Sequence, residues 1–498
     1  MNNYAAMKKK LSLIALLTVI CFNIPAQDTG KNVVKLTLED AIQIAILQSP
    51  DAMMAKHRFR NSYWQYRYFK AEYLPQLTLS GNPFQFQNQQ KLIETIDGSY
   101  YSKYKQLYSD LSLGLQQEIG FTGGTISVFT DIGYTKNFVD DTMFFSASPI
   151  NVSLVQPIFG YNSYKWERKI EPLKYQEAKQ NYIETMEDVS ITATRYFFSC
   201  LLAQINKEMQ ESNLANNDTL HQIAQGRYNM GTIAENEVLN MELNYLNSLS
   251  QLETAKLELE NQMFYLKSYL RIKDEYDIEL IPPTNVPNLV IDANEAVAEA
   301  NANRADIISY KRQIMEAEQN LDAAKKNRFS ANIAMTFGLD KSSHSIGDVY
   351  HDPQNKEVIM LGINVPILDW GKAKGQIKMA ESSLELTRTT IEQEEIDFNQ
   401  EIYIKAKEFN IQQSQLMIAA KSDTVAQKRY DFTKARYLIG TIDITELNSA
   451  AADKDSKRQG YISALQNYWV NYFEIRKLTL YDFEKRQKLG SEFDAIIE

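Results

Sequence analysis

The sequence predicts a mainly α-helical fold with a membrane β-barrel part, built from two copies of one unit. Three observations predict it. Arg227-Tyr228-Asn229-Met230-Gly231-Thr232-Ile233 returns 209 residues later as Arg436-Tyr437-Leu438-Ile439-Gly440-Thr441-Ile442, and Gln156-Pro157-Ile158-Phe159-Gly160 returns at the same spacing as Val365-Pro366-Ile367-Leu368-Asp369. Two unlike landmarks holding one spacing are what a duplicated unit leaves behind. Apolar residues recur every three or four positions over very long stretches, and the period drops to two in a few short windows. Glycine and proline are sparse, 19 and 12 in 498 residues, which favours long unbroken helices.

The N-terminus reads as an export signal. Lys8-Lys9-Lys10 precedes an apolar run from Leu11 to Phe22 and then Ile24-Pro25-Ala26, the order of a secretory leader, with cleavage expected after Ala26. The run is too short for a permanent spanning helix. Cys21 follows Ile20, where lipid attachment needs a small residue, so a lipid anchor is not expected. Cleavage leaves Cys200 as the one cysteine and no intrachain disulfide. No long apolar stretch follows, so spanning a membrane requires a barrel, the other structure that satisfies its own backbone in lipid. The formal net charge of −10 argues against nucleic acid as a partner.

The first element expected is a helix over 37–71, opened by Thr37 and Asp40 as a capping box with Asp in place of Glu. Its counterpart is 293–328, entered by Asp292, with Asp51 and Asp306 at matching places. Strands follow. Leu77 and Leu79 alternate with Gln76, Thr78 and Ser80, and Val152 and Leu154 with Asn151 and Ser153. In the second half Ile333, Met335, Phe337 and Leu339 alternate with Asn332, Ala334, Thr336 and Gly338, and Ile359, Leu361, Ile363 and Val365 with Met360, Gly362 and Asn364. Such runs suit the ~9–11 residues of a bilayer-spanning strand.

Asp51 to Pro157 exceeds Asp306 to Pro366 by 46 residues. The excess holds another hairpin, Leu111, Leu113 and Leu115 against Ile126, Val128, Ile132 and Tyr134, joined at Gly120-Phe121-Thr122-Gly123-Gly124. No phosphate-loop Lys-Ser/Thr follows these glycines, so they make a turn.

Past Pro157 and Pro366 come long helices over 161–226 and 370–435. In the second, Leu384, Ile391 and Phe398 step by seven, as do Ile402 and Phe409, the spacing of a coiled-coil seam. Both stop at the repeated Arg-Tyr-x-x-Gly-Thr-Ile, whose glycine supplies the left-handed stop. Helices over 235–271 and 444–480 return. At ~1.5 Å per residue the first long helix is roughly 100 Å and those over 235–271 and 293–328 roughly 55 Å each. Two short struts end to end therefore match one long strut, with a Pro-bearing belt from Lys273 to Ile291 at the junction. Four core strands cannot close a barrel alone and an open edge in lipid is forbidden, so several copies must pool strands.

This ordered set resembles the TolC-type outer-membrane efflux proteins. The resemblance rests on Leu36-Thr37-Leu38-Glu39-Asp40-Ala41, on Leu74-Pro75-Gln76-Leu77, on the Pro157 and Pro366 turns and on the repeated Arg-Tyr-x-x-Gly-Thr-Ile. The run from Val155 to Gly160, with Lys165-Trp166 after it, is most similar to Bacteroidetes members. The resemblance implies a TolC-like internally duplicated α-helical barrel plus a trimeric transmembrane β-barrel, with a signal peptide at 1–26, a first repeat over 27–290 and a second over 291–498. It implies a homotrimer in the cell outer membrane with a periplasmic helical tunnel. Its function there is an exit duct of a tripartite efflux system, exporting small molecules with an inner-membrane pump (RND or ABC type) and a periplasmic membrane-fusion adaptor. Protein export in a type I secretion system is the alternative within the family; a periplasmic coiled-coil scaffold without a pore is the alternative outside it. Four strands from each of three chains make 12 the expected core count, rising to 18 if the extra hairpin joins the wall.

The same resemblance makes the two repeated turns the periplasmic tip, where Arg227, Gly231, Thr232, Arg436, Gly440 and Thr441 dock the adaptor; a plain helix cap is the other explanation of the glycines. Glu446 stands where the first acid of the periplasmic gate is expected, with Ser449 at the second acid's place. Asp443 is a nearby substitute, and Glu237 is the first-repeat counterpart. Three copies of one acid make a negative constriction that favours cations. His344 and His351, with Asp348 and Asp352, read as a solvated loop rather than a metal clip, and Tyr100, Tyr101, Tyr104 and Tyr108 as an aromatic interface belt or a plain loop. No Ser/His/Asp or Cys/His set is placed by any motif, so neither an enzyme nor a cofactor is expected.

Overall fold

The computed structural model describes residues 33–498 apart from 97, 274, 275 and 498, so the expected signal peptide and its cleavage after Ala26 lie outside the described residues. The chain opens with strand β1 (Val33–Leu36) and helices α1 (Leu38–Gln48) and α2 (Pro50–Glu72). Strands β2 (Gln76–Thr95), β3 (Gly98–Ile119), β4 (Gly124–Asn137) and β5 (Thr142–Pro157) lead into α3 (Ser163–Asn229), and α4 (Glu235–Leu270) returns. Next come β6 (Asp277–Leu280), α5 (Ala293–Asn303), α6 (Ala305–Lys326), β7 (Ser330–Ser343) and β8 (Gln354–Asn364). Helices α7 (Lys372–Leu438) and α8 (Ile444–Thr479) follow, then β9 (Tyr481–Asp482), β10 (Gln487–Lys488) and α9 (Phe493–Ile497). Helices α3 and α7 have 67 residues each, α4 and α8 have 36 each, and both ends of each pair keep the 209-residue spacing. Among the described residues no helix is long and apolar enough to cross a membrane.

The helix expected over 37–71 is two helices. Its capping box forms, Asp40 N donating to Thr37 Oγ1 and Thr37 N to Asp40 Oδ2, both at 3.2 Å. Ser49 then turns out of helical space at ψ 153°, and Pro50, which has no N–H for the ladder, starts α2 while Ser49 Oγ accepts from Ala52 N at 3.2 Å. The stretch expected as one helix over 293–328 breaks at the matched position, Arg304 (ψ 152°), with no proline there. The Arg304 guanidinium holds that break, 3.0 Å from Glu184, 2.6 Å from Asp306 and 5.2 Å from the centre of the Phe398 ring. The break belongs to the duplicated fold, and proline is only one way to make it.

The chain gathers into two compact units, one taking in the chain up to Gln43 with Ser199–Thr284, the other Ile44–Phe198 with the chain from Asn285 on. In the first, β1 runs parallel to β6, Val33 opposite Asp277 and Leu36 opposite Leu280. The Gln204 amide serves Leu280 twice, donating to its carbonyl (3.1 Å) and accepting from its N–H (2.9 Å). Met241, Leu266 and Leu270 are buried there, as is Cys200. In the second unit Asn410 does the same for Ile291, accepting from its N–H at 3.0 Å and donating to its carbonyl at 2.9 Å. In each unit a helix amide thus satisfies both backbone groups of one belt residue. The seam of Leu384, Ile391, Phe398, Ile402 and Phe409 is buried as the spacing predicts.

Strands β2, β3, β4, β5, β7 and β8 form one antiparallel sheet in that order. The extra hairpin β3–β4, whose place the sequence leaves open, lies between β2 and β5, so the sheet has six strands rather than the four of the expected core. Register shows why it fits. Leu77, Leu115, Val128, Val152 and Phe337 are paired in one row across five strands, and Gln76, Gln116, Ser127, Ser153 and Thr336 in the next. Paired residues share a face, so one face stays apolar and the other polar straight through the inserted strands; a slip of one residue would turn them over. The apolar row is exposed throughout, Leu77 at 68% and Val128 at 36%. Strands β2 and β8 end the sheet.

Candidate functional site: helical tips and pore wall

Both repeated turns are built alike. At the end of α3 the Gly231 N–H donates to the Tyr228 carbonyl (2.8 Å) and the Thr232 N–H to the Arg227 carbonyl (3.0 Å); at the end of α7 Gly440 N–H reaches the Tyr437 carbonyl (2.9 Å) and Thr441 N–H the Arg436 carbonyl (3.0 Å). This is a Schellman stop, which needs the glycine left-handed, and φ is 72° at Gly231 and 76° at Gly440. The threonine hydroxyls donate to the same carbonyls, at 2.9 Å in the first turn and 3.0 Å in the second. The helix stop therefore accounts for the repeated Gly-Thr, and of Arg227 and Arg436 it uses only the carbonyl. The surfaces left over are exposed: Arg436, Met230 and Ile439, with open space around both glycines.

The acids differ between the halves. Asp443 caps α8, its Oδ1 accepting from Glu446 N at 2.9 Å, so these two gate candidates are brought together and one is committed to the helix end. Glu446 itself is exposed. The first-repeat turn has Ala234 at the matching cap with no side-chain bond, and Glu237 is half-buried in the first turn of α4.

The spacing analysis missed a second stripe on α7. Ile404, Ile411, Ile418, Val425 and Phe432 also step by seven, and they are exposed at 45%, 55%, 66%, 54% and 72%. The signal was present in the same heptads that gave the buried seam, two positions along. The rim where strands meet helices carries exposed Phe121, Phe159, Ile367, Leu368 and Trp370, of which the aromatic three suit the girdle of a membrane barrel. The expected tyrosine belt lies elsewhere. Tyr108 pairs with Thr135 on the polar face, and Tyr101 and Tyr104 lie in a part of the β2–β3 hairpin beyond the end of β4. On the apolar face Tyr134 and Phe145 meet instead, ring centres 5.1 Å apart. His344 Nδ1 lies 2.6 Å from the Met143 carbonyl, and among the described residues no group of three or more His, Cys, Asp or Glu is placed to hold a metal.

A family model described as outer membrane efflux protein matches residues 296–479. The chain is similar to Outer membrane protein TolC of Escherichia coli (strain K12), 24% identical over 354 residues, 66% of this chain and 69% of that one. It is similar to Toxin and drug export protein A of Aggregatibacter actinomycetemcomitans, 23% identical over 233 residues, which is 45% of this chain and 48% of that protein, about half its length. The fold is that of the Campylobacter jejuni CmeC outer membrane channel, with a TM-score of 0.66 at 14% identity over 96% of this chain and 97% of that one. The family is non-enzymatic and lies in the outer membrane, with a helical tunnel in the periplasm. The duplicated helical hairpins, the two-faced sheet and these likenesses agree: residues 296–479 match the outer membrane efflux protein family, and the chain has the fold of the TolC-type channels.

Proposed function

We propose that the protein is the outer-membrane exit duct of a tripartite efflux system, a homotrimer that carries small molecules outward from an inner-membrane pump and a periplasmic adaptor. The observation that carries this reading is the sheet: one exposed apolar face, one polar face and two end strands in a single chain. The apolar face suits lipid, and end strands in lipid demand neighbours. The exposed heptad stripe on α7 supports the same assembly, since a stripe of that spacing asks for a second helix, here from another copy. The two repeats, 27–290 and 291–498, are the units of the helical wall. The duct is passive and the pump supplies the energy.

The tips formed by Arg227, Gly231, Thr232, Arg436, Gly440 and Thr441 are the docking points for the adaptor, supported by their twofold repetition and by the exposure of all of them but the half-buried Arg227. With Asp443 occupied as a helix cap, the gate rests on Glu446, and Glu237 contributes less. Opening swings the α7–α8 hairpin outward and separates three Glu446 carboxylates. Planar-bilayer recording of wild type against Glu446→Ala tests this. The variant is expected to conduct more and to prefer cations less. Unchanged selectivity removes Glu446 from the gate, and a wild type that does not conduct removes the duct.

A further inference from the structure

We infer that the β3–β4 ribbon is pore wall in the assembled channel, so that the exit closes from six strands per copy and admits bulkier solutes than a wall of four strands per copy. The inference rests on the duct reading above and goes beyond it in naming the size and charge of what the exit favours. Three observations carry it. The ribbon sits inside the sheet, bonded to β2 on one side and β5 on the other, rather than hanging from an edge. Its faces continue those of its neighbours, with Leu111, Leu113, Leu115, Ile126 and Val128 on the exposed apolar side. Its turn is fixed to the helical rim: the Asn162 amide donates to the Gly120 carbonyl (3.3 Å) and the Gln117 amide to the Tyr73 carbonyl (2.8 Å). A ribbon placed and anchored in this way is a stave of the wall.

Three copies of a six-stranded sheet close at 18 strands. Barrel diameter grows roughly in proportion to strand number, so the exit is about half as wide again as a 12-stranded one. The ribbon also changes the lining. Asp110, Asp131 and Glu118 all lie on its polar face, tied by Asn82 Nδ2 to Asp110 (3.0 Å) and by Thr125 Oγ1 to Glu118 (3.0 Å). Among the described residues of the other four strands, below the end of β4, that face carries Asp340 and Lys356, which offset one another. The inserted strands therefore turn a neutral lining into an acidic one, which favours cationic cargo.

Single-cysteine variants test the assignment in planar bilayers. Ser127→Cys, on the polar face, is expected to react with a charged water-soluble thiol reagent and to lose conductance in up to three equal steps, one per copy. Val128→Cys, on the apolar face, is expected to stay unreactive in the membrane. Polymer exclusion gives the width: wild type is expected to admit neutral polyethylene glycols of about 1.5-fold larger radius than a variant lacking residues 96–141. Should that variant fail to assemble, the cysteine pair decides. Complete modification at Ser127→Cys with conductance unchanged overturns the wall assignment while leaving the duct intact. A wild type without conductance overturns both.

Discussion

Glu187 is buried on α3 with its carboxylate 3.0 Å from Arg476, and Asp188 and Asp482 stand near it. Burial outweighs the arginine, and its pKa is pushed up to about 7. A carboxyl raised in the fold binds a proton there that the unfolded chain has already lost. Its contribution to stability therefore falls as pH rises from the ordinary carboxylate range to about 7. Glu187→Gln keeps an amide oxygen for Arg476 and removes the titration. The variant is expected to lose that fall, closing roughly 1–3 kcal/mol of the difference between pH 5 and pH 8. Melting curves of wild type and variant at the two pH values check it; parallel shifts in both proteins refute it. Cys200 is buried as well, and because burial outweighs the opposing charge of Lys267 its thiol is pushed up to about 12. It is therefore a quiet background for the cysteine variants proposed above.

At the scale of elements, the repeat lets one half instruct the other. Gly226, in the last turns of α3, stands where the second repeat has Ala435, and a Cβ there meets nothing within 4 Å. Gly226→Ala is expected to stabilise the helix by about 0.5–1 kcal/mol. Five residues on, Gly231→Ala is expected to cost about 1–2 kcal/mol in spite of equally open space, because its φ of 72° is left-handed. Opposite shifts in melting temperature confirm the pair, whereas equal signs would mean that the helix stop does not set the tip. The sequence carried this element well: the helix bounds follow from two glycine stops and the 209-residue spacing, and the buried seam from heptads in α7. It carried the breaks at Ser49 and Arg304 only by half, since Pro50 marks the first while nothing in the residue type of Arg304 marks the second. The place of the β3–β4 ribbon was not legible at all. A period of two says which face a residue takes, not which strand lies beside it.

For the whole molecule, assembly and folding of the sheet are expected to be one event. A single chain leaves β2 and β8 as end strands, with the Ile404 to Phe432 stripe exposed on α7, far along the chain from the sheet. Lipid does not tolerate unpaired strand edges, so the barrel part gains its stability only when copies meet. If the stripe is where copies meet in the stem, charging it disturbs the barrel without touching a strand. Ile411→Glu with Ile418→Glu places two carboxylates one heptad apart in a contact that excludes water, a change that costs several kcal/mol where no cation answers it. Helix content by circular dichroism is expected to persist, because both positions face outward from the buried seam. The oligomer in unheated detergent gels is expected to disappear, and the strands are expected to become open to trypsin at Lys136 and Lys341. The alternative outcome is equally readable: an intact oligomer with two new glutamates on α7 would mean that the stripe faces an adaptor or solvent, and that the sheet edges alone hold the copies together.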